Sequence, residues 1–446
     1  MRSSTSRLIQ LIAIGIIALG FNGCGGWWKS EATQEPAAPP AVEMPSDTEA
    51  VESAIRFLED RVKRDPDDII ALNKLAGYYL QRQRETGNVT YLELAGRAAR
   101  QSLAAVPAEF NNKGALSALA QVEFASHEFA AARDHAAQLV ELDPDKSYPY
   151  GILGDALLEL GDYDKGAEAF AKMQQIGGSS PSIESRLARL ALLRGQTDLA
   201  AHRMKIALAL AANLQPPQRE TVAWCRWQLG EIAFSSGNYE AAEQYYRDSL
   251  VTFPDYYRAL GSLGKVLAAR GDTAGAIAQY ERATKIIPDP MFVAALGDLY
   301  KLAGREQDAA AQYALVEQIG KLSAANGVLY NRQLALFYAD HDIKPDEAYN
   351  LAAKEYAARQ DIYTADAVAW TALKAGKLEE AQSAIKEALR LGTQDAKLFY
   401  HAGMIAQAAG DKRSAKDYLA RATKLNPQFD PLQAMSMKSA LDSNAE

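Results

Sequence analysis

Five histidines, two cysteines and several adjacent carboxylates are the side chains of this chain best suited to chemistry. Two histidines one helical turn apart, with a glutamate beside the first, would hold zinc and activate a water on it. His127, His135, His202, His341 and His401 are scattered instead, and even His127 and His135 are separated by more than one turn. A phosphate-cradling loop needs glycines followed by lysine and a hydroxyl residue. Gly177-Gly178 lacks that sequel, and no Gly-x-Ser-x-Gly elbow occurs for a nucleophilic serine. Cys225 lies between Trp224 and Trp227 with Arg226 as its neighbouring cation, a setting for a packed thiol rather than a nucleophile. Glu379 and Glu380 are adjacent, so on a helix they do not face a common point and form a solvated face. These residues predict no catalytic centre, no metal site and no cofactor.

The elements that carry them follow from the whole chain. It has 446 residues, 48% hydrophobic and 23% charged, which suits several domains or a repeat array. A formal charge of −8 and a pI near 5.4 argue against nucleic acid, whose phosphates need a basic face. At the amino terminus Arg2 and Arg7 precede an apolar run from Leu8 to Phe21, and Gly23-Cys24 follows. This is the layout of an export signal. The run is shorter than the roughly 20 residues a membrane span needs. Residues 29–50 are rich in Pro, Ala and Glu and poor in large apolar side chains, so they read as a disordered tether.

From about residue 51 onward one pattern recurs. Leu229-Gly230, Ala233, Gly237, Tyr239, Ala242, Tyr246, Ser249 and Pro254 return 34 residues later as Leu263-Gly264, Leu267, Gly271, Thr273, Ala276, Tyr280, Ala283 and Pro288. Leu296-Gly297, Tyr300, Gly304, Ala309 and Tyr313 follow one residue short of that period. Upstream units start at Leu119-Ala120, Leu153-Gly154 and Leu187-Ala188, and downstream ones at Val368-Ala369 and Ala402-Gly403. Looser units start at Leu75-Ala76 and Leu334-Ala335. Each unit holds two stretches with apolar residues at helical spacing. Gly230, Gly264, Ala242 and Ala276 fall where two helices must approach closely. Gly237 and Gly271 suit a left-handed turn after the first helix, and Asn238 and Asp272 then cap the second. Pro254 and Pro288 end it.

The pattern resembles the tetratricopeptide repeat. That resemblance implies an all-α fold, an α-α superhelix of about ten helical hairpins over residues 51–429, with 430–446 as a tail or capping segment. The family's right-handed superhelix would line a concave groove with the first helix of each pair. On that geometry Tyr148, Asp155, Arg189, Trp224, Trp227, Glu231, Arg258, Lys265, Asp298, Asp366, Trp370 and Tyr400 face the groove. Trp227 and Trp370 are its best anchors, with inter-helix packing as the competing role. The Lys/Asn/Arg carboxylate clamp of chaperone-type members is absent, since Trp227, Glu231, Gly261 and Lys265 occupy its places. Two connections break the period, around Gln215-Pro216-Pro217-Gln218 and between Gly320 and Gly327, either as outward bulges or as hinges.

The ending Leu19-Gly20-Phe21-Asn22-Gly23-Cys24 resembles a bacterial lipoprotein signal, although Phe21 and Asn22 depart from its usual residues. The resemblance implies a signal peptide over 1–23, acylation of Cys24 and a tether over 24–50. In a Gram-negative cell the protein would then sit on the periplasmic face of the outer membrane. The expected function is a cell-envelope scaffold or assembly factor that binds other proteins or peptide segments. A glycan- or small-ligand-binding solenoid, or a regulatory appendage of an envelope enzyme, is the alternative.

Overall fold

The computed structural model describes residues 39–44, 46–325 and 331–443. The export signal, Cys24 and the first part of the expected tether lie outside the described residues. Helix α1 (Thr48–Arg64) is followed by ten helical hairpins. The first five pair α2 (Ile69–Thr86) with α3 (Thr90–Ala105), α4 (Lys113–Ala125) with α5 (Phe129–Leu142), and α6 (Ser147–Glu159) with α7 (Tyr163–Gly177). They continue with α8 (Pro181–Leu193) and α9 (Thr197–Ala212), then α10 (Arg219–Ser235) and α11 (Tyr239–Thr252). The next three are α12 (Tyr257–Ala269) with α13 (Thr273–Ile286), α14 (Pro290–Leu302) with α15 (Glu306–Ala325), and α16 (Asn331–Asp340) with α17 (Pro345–Ala358). The last two are α18 (Ile362–Lys374) with α19 (Leu378–Ala388), and α20 (Ala396–Ala408) with α21 (Lys412–Leu425). A final helix, α22 (Pro431–Ser443), packs on α20 and α21, with Met437 in one cluster with Tyr400 and Leu419. It is a cap rather than a free tail. The described residues contain no strand.

In the hairpins with glycine at this place the expected close approach is present. A Cβ added to Gly264 would stand 2.7 Å from the Tyr280 ring, and one added to Gly297 2.6 Å from that of Tyr313. Glycine on the first helix and an aromatic ring on the second therefore form one packing unit. Gly237 and Gly271 are left-handed, at φ 73° and 86°. Asn238 then accepts from Ala241 N at 3.2 Å and Asp272 from Gly275 N at 2.8 Å, as caps should. Residues 213–218 are exposed, while Leu208 and Val222 pack together across the junction. That connection bulges, and the stack continues beneath it.

Successive superhelical turns touch. Tyr163 Oη accepts from Ile362 N at 2.8 Å, and Asn426 Nδ2 donates to Phe234 O at 2.7 Å. Arg390 donates to Gly161 O at 2.8 Å, and Thr393 donates to Leu193 O. The turns inside early hairpins thus sit on the connections between late ones. Gly161 (φ 78°) belongs to this seam, where an added Cβ would lie 2.5 Å from Gln360 O. Gly271 has the same backbone sign, yet nothing stands within 4 Å of its added Cβ. Gly271→Ala is expected to cost about 1 kcal/mol from the left-handed backbone alone. Gly161→Ala adds a clash with a carbonyl that cannot rotate away, for about 2–4 kcal/mol in all. Denaturant unfolding of both variants checks this; equal losses would mean the seam makes no close contact there.

Over its described residues the chain before α1 departs from the expected disordered tether. Arg226 is 2% exposed, and its Nη2 donates to Pro40 O at 2.8 Å and Pro39 O at 3.3 Å. Met44 packs with the cluster of α9 and α10. A buried guanidinium needs acceptors, and a proline-rich segment with few N–H groups of its own supplies carbonyls. The described residues of 39–47 therefore lie against α10, and helix begins at Thr48.

Candidate functional site: an interior groove

The first helices α10, α12, α14, α16 and α20, together with the C-terminal cap, line a partly enclosed cavity of about 580 Å³. Trp227 and Glu231 come from α10, Arg258 and Lys265 from α12, and Asp298 from α14. Five of the twelve residues expected to face the groove therefore meet there. Glu231 accepts from Ser262 Oγ at 2.6 Å, Tyr246 Oη at 2.7 Å and Lys265 Nζ at 2.9 Å. Burial opposes its ionisation, but the Lys265 charge and these donors hold the carboxyl below its ordinary range. Trp227 Nε1 donates to Ser262 Oγ at 2.9 Å, while the Arg258 guanidinium lies 5.5 Å from the Trp227 ring centre. Asp298 accepts from Tyr313 Oη at 2.8 Å and pairs with His341 Nε2 at 2.7 Å. Burial pushes the His341 pKa down, and the bond to Asp298 outweighs it and raises it overall.

The other expected residues are elsewhere. Trp370 is 2% exposed, donates from Nε1 to Asp340 Oδ1 at 2.7 Å, and stacks on His401 with ring centres 4.2 Å apart. Asp366 is buried and 2.9 Å from His401 Nδ1. Tyr400 is buried and its ring meets Phe429. These three are corrections to the groove expectation: the neighbouring first helices α16 and α20 close over Trp370 and Asp366, and Phe429 with the capping helix closes over Tyr400. Asp155 and Arg189 join an ion cluster with Arg186 and Glu159. Trp224 packs beside Phe253 and Tyr256. Tyr148 is exposed, with its hydroxyl 3.1 Å from Asp143 Oδ2.

Sequence reasoning missed the cavity's other half: Asp340 at the end of α16 and His341 just after it, Asp395 and Lys397 at the start of α20, and Asp430 and Gln433 at the cap. Asp395 and Asp430 carry a helix-capping signal, Asp430 standing just before Pro431. That signal places them at helix starts and says nothing of a shared cavity. Cys225 is fully buried, and burial pushes its thiol up to about 12, which makes it a packing residue. Among the described residues, no group of three or more His, Cys, Asp or Glu side chains could hold a metal ion.

Three tetratricopeptide-repeat family models match the chain, at residues 117–181 and 228–290, at 179–251, and at 396–429. The TPR repeat-containing protein YpiA of Bacillus subtilis is 25% identical over 270 residues, which are 57% of this chain and 57% of that protein. The match thus spans a little over half the length of that relative. Among solved structures, the type IV pilus biogenesis factor PilW aligns at 17% identity with a TM-score of 0.40, over 46% of this chain and 92% of its own. Yeast Tom70 aligns at 12% identity with a TM-score of 0.38, over 89% of this chain and 93% of its own. Repeat spacing, helix pairing and the family models agree: the chain carries tetratricopeptide repeats, stacked as an all-α solenoid.

Proposed function

We propose that this protein is a non-catalytic interaction scaffold of the cell envelope, which binds segments of partner proteins in its interior groove. The observation that carries this reading is the 580 Å³ cavity, where Trp227 and Arg258 stand together on facing helices. Tryptophan and arginine in a partly enclosed hollow are the usual energetic centres of protein recognition. The acidic charge of the chain weighs against nucleic acid as the partner.

The envelope assignment rests on the amino-terminal residues. Arg2 and Arg7, the apolar run and Gly23-Cys24 fit export followed by acylation of the cysteine. Two or more acyl chains hold a protein to a bilayer stably, at about 0.8 kcal/mol per buried methylene. In a Gram-negative cell this places the solenoid on the periplasmic face of the outer membrane. Cys24→Ser is expected to abolish incorporation of labelled palmitate and to move the protein from the membrane to the soluble fraction. A mature chain whose intact mass shows an unmodified Cys24 would remove the anchor. Capture of envelope partners that Trp227→Ala leaves unchanged would remove the groove.

A further inference from the structure

The two ends of the cavity differ in charge balance. At one end Glu231 pairs with Lys265 at 2.9 Å and Asp298 with His341 at 2.7 Å, while Asp289 accepts from Met291 N at 2.9 Å and feels the Arg258 charge. At the other end Asp340, Asp395 and Asp430 face, among the described residues, one cation, Lys397, whose Nζ is 3.3 Å from Asp340 Oδ2. Asp395 accepts from the backbone N–H groups of Lys397 and Leu398, and Asp430 from those of Leu432 and Gln433. Among the described residues neither carboxylate has an ion pair of its own, and burial raises the pKa of both. Desolvated negative charge of this kind is costly unless a cation neutralises it.

A second feature points the same way. Gln433 is 5% exposed and lines the same end of the cavity. Its Nε2 donates to Asp340 Oδ1 at 2.5 Å, which fixes the orientation of the amide, and its Oε1 is buried without a hydrogen-bond partner. A buried acceptor left unpaired costs about 1–3 kcal/mol, so the site lacks a donor. Phe337 and Phe429 stand in the same lining. They can take the aliphatic stem of a long cationic side chain while its head meets oxygen atoms.

We propose that an arginine or lysine side chain of an extended partner segment enters this end of the cavity, its N–H groups meeting Asp395, Asp430 and Gln433 Oε1. The proposal rests on the groove reading above and names the chemistry of the occupant. The volume exceeds that of one cationic head group, and its apolar walls suit the residues on either side of it.

The test is fluorescence anisotropy of the full chain with three labelled peptides of equal length. One alternates leucine with arginine, the second has glutamine in place of arginine, and the third glutamate. The arginine peptide is expected to bind more tightly than the glutamine peptide by about tenfold, and the preference should shrink with added salt. The double variant Asp395→Asn, Asp430→Asn keeps acceptors for the helix caps and is expected to weaken the arginine peptide by about tenfold. Glu379→Gln with Glu380→Gln removes the same charge from the exposed face of α19 and should leave binding unchanged. If the asparagine variant melts early, Gln433→Leu carries the test, because it removes the orphan acceptor without changing charge.

Equal binding of the arginine and glutamine peptides, both lost in Trp227→Ala, would overturn the charge proposal and leave the groove standing. Binding of all three peptides that Trp227→Ala leaves intact would overturn both. Tight binding of spermidine with no affinity for the arginine peptide would overturn the choice of a protein segment.

Discussion

Trp370→Ala is expected to lower the unfolding free energy by about 3–5 kcal/mol, and Trp227→Ala by about 1 kcal/mol or less. The two tryptophans read alike in the sequence, each on the first helix of its repeat, yet their surroundings separate them. Trp370 is closed in by Tyr400 and His401, with the His401 ring parallel to the indole to within 10°. Its N–H satisfies Asp340, and His401 beneath it is held by the buried Asp366. Deleting the indole leaves a void against rigid neighbours and withdraws one donor from a part-buried carboxylate, so cavity and polar costs add. Trp227 is half-buried at the cavity wall, and water can fill the space it leaves. Its loss should appear in partner capture and in the environment of Arg258, which rests on its face. Urea unfolding of both variants, read by circular dichroism, separates the roles. A Trp227→Ala loss as large as that of Trp370→Ala would make Trp227 a core residue and strip the groove of its anchor.

The repeat itself was fully legible, because its causes are local. In the clearest units a glycine faces a ring on the partner helix, a left-handed residue follows the first helix, and an acidic or amide residue caps the second. Gly264 with Tyr280 and Asp272 with Gly275 N show this directly. The closure of the superhelix was not legible. Tyr163 meets Ile362, and Phe234 meets Asn426, across roughly half the chain, and no periodicity links such pairs. The repeat pattern alone gives every unit the same open inner face. That holds for α10, α12 and α14 and fails where first helices pack on one another or on the cap: α16 and α20 close over Trp370 and Asp366, the capping segment closes over Tyr400, and Asp155 and Arg189 are taken up by an ion cluster. The misread tether has a similar cause. A Pro/Ala/Glu-rich segment cannot bury a core of its own, yet it can lend carbonyls to a buried arginine supplied by another element, as Pro39 and Pro40 do for Arg226. Asp395 and Asp430 show the converse limit: a carboxylate that caps a helix can face a cavity as well, and the local signal reports only the cap.

Arg359→Ala is expected to destabilise the chain by about 3–5 kcal/mol, because it breaks a buried ion cluster from one side. Arg359 lies between α17 and α18 with Nη2 2.5 Å from Glu159 Oε2, and its Nε is 2.5 Å from Asp361 Oδ2. Glu159 is buried at the end of α6, one superhelical turn earlier, and is also held by Arg189 of α8. Asp361 receives Arg332 at 3.4 Å. The cluster is therefore a polar rivet between turns, where Gly161 on Gln360 is the steric one. Without Arg359, Glu159 and Asp361 keep their burial and lose the cation between them, whereas a pair placed on the surface would cost little. Because the two partners sit on different turns, the loss should appear as faster hydrogen exchange in α6 and α8 as well as in α17 and α18. A double-mutant cycle with Glu159→Gln should give a coupling energy of about 1–3 kcal/mol. Exchange that quickens only around residue 359, or a coupling near zero, would mean that the turns are held together by backbone contacts alone. The interior cavity would then be free to widen without breaking any charge pair.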